Sequence, residues 1–204
     1  MIMLVSPKYA KYATSLVFVL CSILGFSQEY ELENSSSITV SGTSTLHDWT
    51  VEVKNQTGKM TVTAKKATDD KIKTGQLSHI SVNLFVNDIQ GSKGKTMNNK
   101  MYRALKKDLF PTITFTSNNP VEFDLIDRNG SVLKNLSGVL SVAGVEKKIS
   151  TQVKAIYNNK KISLSGELPM KLSDFSIEPP TAMFGQIKTG NDISVNFDLE
   201  FVHN

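Results

Sequence analysis

The most distinctive polar group of the sequence is the tripeptide His47-Asp48-Trp49. An imidazole beside a carboxylate and an indole could supply a polar contact inside a ligand pocket, with Trp49 as an apolar wall. The same residues could instead form a structural cluster near the start of a strand. Ligand pockets contain few polar groups, which favours the structural interpretation, but the sequence leaves both open.

Residue types and spacing argue against a metal centre. The histidines are His47, His79 and His203, and no two have a spacing such as H-x-x-x-H that would bring both rings to one metal ion. The only cysteine, Cys21, lies in an N-terminal apolar segment, so zinc bound by cysteine and thiolate catalysis are excluded for the rest of the chain. We therefore predict no metal site.

Motifs for nucleotide binding and hydrolysis are incomplete. Gly94-Lys95-Thr96 lies between a predicted strand and a predicted helix, but a P-loop also needs a glycine at position 89, where Ile89 stands. No G-x-S-x-G nucleophile elbow occurs. The paired carboxylates Asp69-Asp70 lie in a lysine-rich loop, where we expect solvent rather than the burial that acid–base catalysis needs. We predict no catalytic residues and no enzymatic activity.

Basic residues cluster around residues 93–107. An ordinary solvated helix face is one interpretation. The other is a basic rim that attracts an anionic head group or a membrane surface, for which Lys100, Arg103 and Lys107 are the candidates. The segment has few large apolar residues, so we do not expect it to insert deeply. The cluster consists of Lys93, Lys95, Lys100, Arg103, Lys106 and Lys107.

The N-terminus resembles an export signal. Lys8 and Lys11 precede an apolar run over residues 13–26, and Ser27 is a small residue at cleavage spacing. The run is shorter than the roughly 20 apolar residues that a transmembrane helix needs, although an uncleaved anchor is the alternative. We predict a signal peptide over residues 1–27 and a periplasmic or secreted protein.

The remaining chain is nearly neutral. Of 23 Lys and Arg, two lie in the signal, which leaves 21 against 19 Asp and Glu, or a net charge of +2. This balance gives no reason to expect nucleic acid as a partner. We predict a flexible polar leader over residues 28–37, followed by a single domain over residues 38–204.

Alternation of apolar and polar residues dominates that domain. Residues 192–202 alternate, with apolar residues on one face and polar residues on most of the other, which predicts a strand with one buried and one solvated face. Shorter alternating segments recur, with turn signals at Ala143-Gly144 and Thr189–Asn191 and a predicted hairpin around residues 55–58. Only residues 97–107 have helical spacing, with Thr96 as the expected N-cap. The pattern predicts an all-β antiparallel sandwich or barrel with one short helix.

Three segments resemble the YceI-like family of bacterial exported proteins. They are Ser44–Val51, with its serine and histidine, Met101–Phe115, with Phe110-Pro111-Thr112-Ile113-Thr114-Phe115, and the Leu136–Val145 hairpin. Phe175 and Ile177 match a weaker fourth element. The resemblance implies an extended lipocalin-like antiparallel barrel of about eight strands. It also implies an apolar cavity for a polyisoprenoid or an isoprenoid quinone.

The sequence departs from the family pattern in two places. His47 is followed by Asp48, where many members have serine, and the stretch over residues 177–189 is long enough to cover the cavity as a lid. The expected ligand-binding residues are His47, Trp49, Leu84, Val86, Phe115, Phe123, Leu140, Phe184, Val195 and Phe197. Apart from a bound isoprenoid lipid, we expect no cofactor.

Two alternatives remain at this stage. One is a structural or stress-related barrel with a filled interior, which would contain no apolar cavity. The other is a barrel isomerase or hydrolase that acts on lipids, which would need a buried acid or base that the predicted inward faces lack. We also expect transient contact with a membrane surface. The sequence leaves open the identity of the ligand, the pathway and the oligomeric state, for which a homodimer is one possibility.

Overall fold

The computed structural model describes residues 27–66, 73–92, 94–124, 132–158 and 161–203. The predicted signal peptide therefore lies outside the described residues, apart from Ser27. The one α-helix of the described part is α1 (Lys95–Ala104). The strands are β1 (Ser27–Leu32), β2 (Ser37–Ser44), β3 (Trp49–Val53), β4 (Gln56–Lys66), β5 (Lys73–Phe85), β6 (Ile89–Gly91), β7 (Thr112–Ser117), β8 (Val121–Asp124), β9 (Val132–Val142), β10 (Val145–Asn158), β11 (Lys161–Lys171), β12 (Thr181–Ala182) and β13 (Ile187–His203).

Eight strands close into an antiparallel barrel, which confirms the predicted fold class. Each strand pairs with the next in the order β1-β4-β5-β7-β9-β10-β11-β13, and β13 pairs back onto β1 through Leu32 and Phe201. Closure leaves no exposed edge in this ring, so its backbone hydrogen-bonding groups are paired between neighbouring strands.

Three barrel strands are interrupted and then continue. β2 pairs with β13 beyond the point where β1 pairs with it, β3 pairs with β2, and β6 pairs with β3. The interruptions fall at residues 33–36, 54–55 and 86–88. The predicted hairpin around residues 55–58 is therefore wrong. β3 lies between β2 and β6, and β4 continues in the same direction between β1 and β5, so the chain does not reverse at residues 54–55.

The barrel has two unlike ends. The connections β2–β3, β6–α1–β7, β9–β10 and β11–β13 all lie at one end, which we call the mouth end. β1 begins and β13 finishes at the opposite end, which we call the packed end. α1 closes part of the mouth end, where Met101 and Leu105 pack against the barrel core.

Large side chains fill the interior of the packed end. Tyr30 lies opposite Met60, Met60 lies opposite Ile80, and Ile162 lies opposite Phe201 on neighbouring strands. All five are at most 1% exposed. Cross-strand neighbours on one face of a sheet pack directly against each other, so these residues form a continuous apolar layer across this end.

The flexible leader predicted over residues 28–37 is wrong. Residues 27–32 form β1, which pairs with both β4 and β13, and residues 37–44 form β2. Burial of the Tyr30 ring and packing of Leu32 against the core explain this order, because their apolar area stabilises a segment whose other residues are polar. The barrel domain consequently begins at β1 and not at residue 38.

Two turn predictions have opposite outcomes. Ala143 and Gly144 form the β9–β10 turn with φ values of 51° and 83°, as two-residue hairpin turns require. Residues 189–191 lie instead inside β13, where the pairing with β2 shifts register between Thr189 and Ile193. This irregularity bends a long strand and makes no turn.

α1 occupies the predicted place with a shifted start. Its N-cap is Gly94, with φ 81°, and not Thr96. Tyr102 anchors the helix, because its hydroxyl lies 2.9 Å from the carbonyl oxygens of both Asn87 and Ile89. Within the described ranges, no helix is long and apolar enough to cross a membrane.

Candidate ligand-binding cavity

The half of the barrel next to the mouth encloses an apolar cavity of about 220 Å³. Nearly all of its walls are aliphatic and aromatic side chains from the barrel strands, from α1 and from the segment after β11. An apolar cavity of about 150 Å³ in another protein stays dry and binds benzene, so this one is large enough for part of a hydrocarbon chain. The interior is therefore filled at one end and hollow at the other.

Inward-facing glycines make room for the aromatic walls of the cavity. A Cβ atom on Gly42 would lie 2.5 Å from Cζ2 of Trp49, its partner on β3. A Cβ atom on Gly138 would lie 2.6 Å from the Phe115 ring, and one on Gly166 would lie 2.8 Å from Cζ of Phe197. Each ring can thus lie flat against the backbone of a neighbouring strand, which keeps the centre of the barrel open.

Most of the sequence-predicted apolar residues surround this cavity. Alternation placed them correctly on inward faces, and their position near the mouth makes them walls rather than core. Those that line the cavity are Trp49, Leu84, Phe115, Leu140, Val195 and Phe197.

A second, outer pocket of about 510 Å³ opens at the mouth end. Its walls combine the loop after β2, the first turns of α1 and the β12 region. Trp49 and Val51 line both cavities, so the two adjoin across the Trp49 side chain. The Trp49 indole N–H donates a hydrogen bond of 2.9 Å to the Thr43 carbonyl, which holds the ring in this position.

The family model for the YceI-like domain matches residues 30–201. The chain belongs to the YceI-like family. No curated protein matches it.

Three solved structures share the fold of this YceI-like chain. A polyisoprenoid-binding domain from Saccharophagus degradans, implicated in plant cell wall breakdown, has a TM-score of 0.65 at 17% identity, over 86% of this chain and 98% of that one. BcnA from Burkholderia cenocepacia has a TM-score of 0.54 at 16% identity, over 83% and 98%. A mutant of Campylobacter jejuni YceI, crystallised with monobromobimane as guest, has a TM-score of 0.51 at 18% identity, over 76% and 84%.

Two of the predicted ligand-binding residues of the YceI-like barrel lie away from both cavities. Val86 is buried but belongs to a 3₁₀ turn over residues 86–88, where the strand alternation ends, so it packs outside the cavity wall. Phe184 is fully exposed and lines neither cavity, although other residues of the predicted lid over 177–189 do, with Ile177 on the apolar cavity and Thr181 on the outer pocket. The backbone of Phe123 lies in β8, and its side chain is outside the described part.

Alternation missed several wall residues because they lie on other kinds of element. Phe175 is the last residue of a 3₁₀ turn after β11, Ile177 follows that turn, and both belong to one buried cluster with Leu140. Met101 and Leu105 reach the cavity from α1, and their spacing of four residues was the available signal. Where a helix or turn meets a barrel depends on tertiary contacts, so spacing alone could not place these residues on the wall.

His47 lies in the outer pocket and not in the apolar cavity. Its Nδ1 is 2.9 Å from the carbonyl oxygen of Asp48. The Ser44 hydroxyl accepts from the backbone N–H of His47 at 3.2 Å and donates to its carbonyl at 2.7 Å. These hydrogen bonds order the β2–β3 loop, and His47, Asp48 and Trp49 all line the outer pocket.

The three basic head-group candidates occupy different positions. Lys100 lines the outer pocket, and its Nζ donates a hydrogen bond of 3.1 Å to the Thr181 carbonyl. Lys107 lies over the Tyr102 ring, 5.3 Å from its centroid, and 4.0 Å from a carboxylate oxygen of Asp108. Arg103 is exposed on the outer face of α1. Of these three, Lys100 alone faces a pocket.

Charge is nearly absent from the apolar cavity. Lys171 is the only charged residue on its wall among the described residues, and its ammonium group reaches solvent to pair with Asp192. The hydrogen bond with Asp192 raises the pKa of Lys171 above its usual value. The described residues also contain no cluster of three or more metal-ligating side chains. The cavity can therefore solvate a hydrocarbon chain, and among the described wall residues the single ionisable group, on Lys171, is directed to solvent and Asp192.

Proposed function

We propose that this protein is an exported carrier that holds a polyisoprenoid or isoprenoid-quinone-like chain in the apolar cavity, for transport, storage or a stress response. The hollow, almost uncharged half of the barrel carries this proposal. Membership of the YceI-like family and the shared fold with a polyisoprenoid-binding domain support it. The proposed location is periplasmic or secreted, with residues 1–27 as the signal peptide.

The energetics favour an unbranched or methyl-branched chain. Burial of each CH₂ group contributes about 0.8 kcal/mol. Six to eight buried carbons would therefore contribute about 5–6 kcal/mol. Micromolar binding corresponds to about 8 kcal/mol after the cost of association, so a longer buried chain or contacts to the polar end must supply the difference. A carbonyl or hydroxyl inside the cavity would lose its hydrogen bonds to water, because the walls offer almost no replacement partners.

The outer pocket is the proposed place for the polar end of the ligand. It adjoins the apolar cavity at Trp49 and carries the Lys100 ammonium and the His47 ring. A chain threaded past Trp49 would leave its head group among these donors. Arg103 and Lys107 lie further out and would contribute long-range attraction to an anionic group or surface.

A structural barrel with a filled interior and no ligand is the second candidate function. The packing of the packed end is the observation that favours it. The Tyr30, Met60 and Phe201 side chains are fully buried there. The apolar cavity in the other half is the observation that this candidate does not explain. Catalysis would need an acid or base near the bound chain, so we propose a binding protein and not an enzyme.

Native mass spectrometry of the protein purified from its own host tests the proposal. We expect an isoprenoid or another long-chain lipid near one molecule per chain, which organic extraction then identifies. An empty protein that also fails to take up added polyprenyl phosphate or isoprenoid quinone from detergent would contradict the carrier function and leave the filled structural barrel.

A matched pair of variants on β13 links any bound lipid to the cavity. V195F adds a ring to the cavity wall. V202F adds the same ring near the packed end, on the opposite face of the strand from Val195. Displacement of about two CH₂ groups should weaken ligand binding roughly tenfold in V195F. V202F should bind like the unchanged protein. Equal losses in both variants would place the lipid elsewhere.

A further inference from the structure

Large exposed apolar side chains are concentrated at the mouth end. Leu46 is in the β2–β3 loop, Leu109 and Phe110 follow α1, and Met183 and Phe184 are in the β12–β13 connection. In the other half, Leu133 and Ile156 are the exposed large apolar residues within the described ranges. Exposed apolar groups gathered in one region mark an interaction surface more often than single ones do.

The turn that carries Met183 and Phe184 has an unusual backbone. Met183, Phe184 and Gly185 have φ values of 52°, 54° and 88°, in the left-handed region that side chains disfavour. Strained conformations of this kind are found mainly at functional sites. The effect here is that both apolar side chains project into solvent instead of packing on the barrel.

Hydrogen bonds join this turn to the loop that carries Leu46. The Thr45 hydroxyl donates to the Gln186 carbonyl at 3.3 Å and accepts from the backbone N–H of Lys188 at 3.2 Å. The Thr45 N–H donates to the Lys188 carbonyl at 3.0 Å. Leu46, Met183 and Phe184 therefore lie on two connected loops, which we call the apolar tip.

We infer that the apolar tip docks the barrel onto an anionic lipid bilayer with the mouth facing the membrane. The tip borders the outer pocket, whose walls include Leu46, Ala182 and Ile187. Exposed aromatic and aliphatic side chains enter the boundary between head groups and acyl chains when basic residues hold the protein at an anionic surface.

The charges around the tip fit an anionic surface. The described basic residues of this end are Lys95, Lys100, Arg103, Lys106, Lys107 and Lys188. The described acidic residues of the loops and helix at this end are Asp48, Asp108 and Glu178, with Asp88 in the turn before β6 and Asp174 in the turn after β11. On the strands of this end, Asp192 of β13 pairs with Lys171 of β11. Asp108 lies against Lys107, and Asp174 accepts from the backbone N–H of Lys171. An excess of positive charge remains beside the tip.

Docking in this orientation would give the proposed ligand a route that avoids water. The outer pocket and Trp49 would face the bilayer, so an isoprenoid chain could pass from the membrane into the cavity. This consequence rests on the proposed carrier function, whereas the docking itself does not.

Vesicle binding with matched tryptophan probes tests the docking. F184W reports on the tip, and L133W reports on the packed end. The vesicles contain equal parts of phosphatidylethanolamine and phosphatidylglycerol with brominated chains, which quench tryptophan fluorescence. Trp49 is present in both variants and gives a common background. Above this background we expect quenching of the F184W fluorescence and none of the L133W fluorescence. Equal quenching of both probes, or no binding, would overturn the orientation.

Serine variants measure the contribution of the tip to binding. Leu46 and Leu133 are matched in exposure, at 66% and 67%. M183S/F184S should lower the vesicle partition coefficient at least about tenfold, and L46S by less, because fewer apolar groups leave the bilayer. L133S should partition like the unchanged protein. The inference would be overturned if the unchanged protein binds no vesicles, is a dimer by light scattering, and becomes a monomer in M183S/F184S. That result would assign the tip to contact with a second copy of the chain.

Ligand uptake separates this inference from the proposed function. M183S/F184S should still take up polyprenyl phosphate from detergent and should do so more slowly from vesicles. A protein that binds detergent-dispersed ligand but never vesicles retains the carrier function and lacks the docking. A protein that binds vesicles through the tip but takes up no ligand retains the docking and lacks the carrier function.

Discussion

The same strands form both halves of the barrel, but the two halves differ in how their interiors are filled. At the packed end, Tyr30 lies opposite Met60 and Phe201 lies opposite Ile162 on neighbouring strands, and all four side chains are fully buried. In the half next to the mouth, the same inward faces carry Val195 and Phe197, and Phe197 lies flat over Gly166 around an empty volume. Stability and ligand capacity are thus separated along the barrel axis, so a protein with a hollow half can still have a well-packed core.

The largest expected difference between the halves comes from two phenylalanines on β13. F201A removes a fully buried ring from the packed end and should lower the free energy of unfolding by about 3–5 kcal/mol. F197A removes a half-buried ring that already borders empty space, and should cost about 1–2 kcal/mol. Chemical denaturation of both variants measures the two losses. Equal losses would show that the halves are packed alike.

A smaller effect is expected from closing the gap beneath the cavity-wall tryptophan. In G42A the new methyl group would meet the Trp49 ring at 2.5 Å, so the ring must move at a cost of about 1–3 kcal/mol. G91A is the matched control, because its Cβ would lie 3.2 Å from a Val51 methyl group. Fluorescence of Trp49, the only tryptophan, should shift in G42A and stay unchanged in G91A. An unshifted spectrum in G42A would contradict this account of the wall.

The smallest predicted difference appears at high pH. Burial, and then the neighbouring Tyr157, raise the pKa of Tyr30 at the packed end from its ordinary value of 10.0 to about 12. The neutral phenol is favoured in the folded state, so its stabilisation is complete below pH 10 and is lost as the pH rises towards 12. Relative to Y30F, the unchanged protein should lose on the order of 1 kcal/mol across this window.

Tyr102 at the mouth end provides the comparison for this titration. Burial, and then Asp88, also raise its pKa, but the side chain is only partly buried. Y102F should therefore alter the pH dependence of unfolding less than Y30F does, as pH-dependent denaturation would show. A larger effect in Y102F would reverse the contrast between the two ends.

Much of the fold could be predicted because strand alternation is a local signal. Residues 192–202 of β13 alternate as expected, and the Ala143-Gly144 turn joins β9 to β10 as its composition indicates. The failures occurred where pairing partners decide the outcome. β1 is ordered by contacts with β4 and β13, which are distant in sequence, so its polar composition suggested a flexible leader.

The candidate site could be predicted in part for the same reason. Alternation places Leu84, Leu140 and Val195 on inward faces, and they line the cavity. It also placed Val86 on that face, where a 3₁₀ turn ends the strand. The direction of the Phe184 side chain depends on a turn with left-handed backbone angles, which composition does not reveal. A non-glycine residue adopts such angles only when the surrounding structure imposes them.

The sequence by itself determined which residues of the regular strands face inward, the antiparallel pairing and the place of helix α1, because these follow from local periodicity and turn chemistry. It did not determine which inward residues fill space and which enclose it. Phe197 and Phe201 share a strand and a face, and their sequence pattern is the same. Only the tertiary structure separates them, because Phe197 lies over Gly166 on β11 whereas Phe201 meets Ile162 on the same strand.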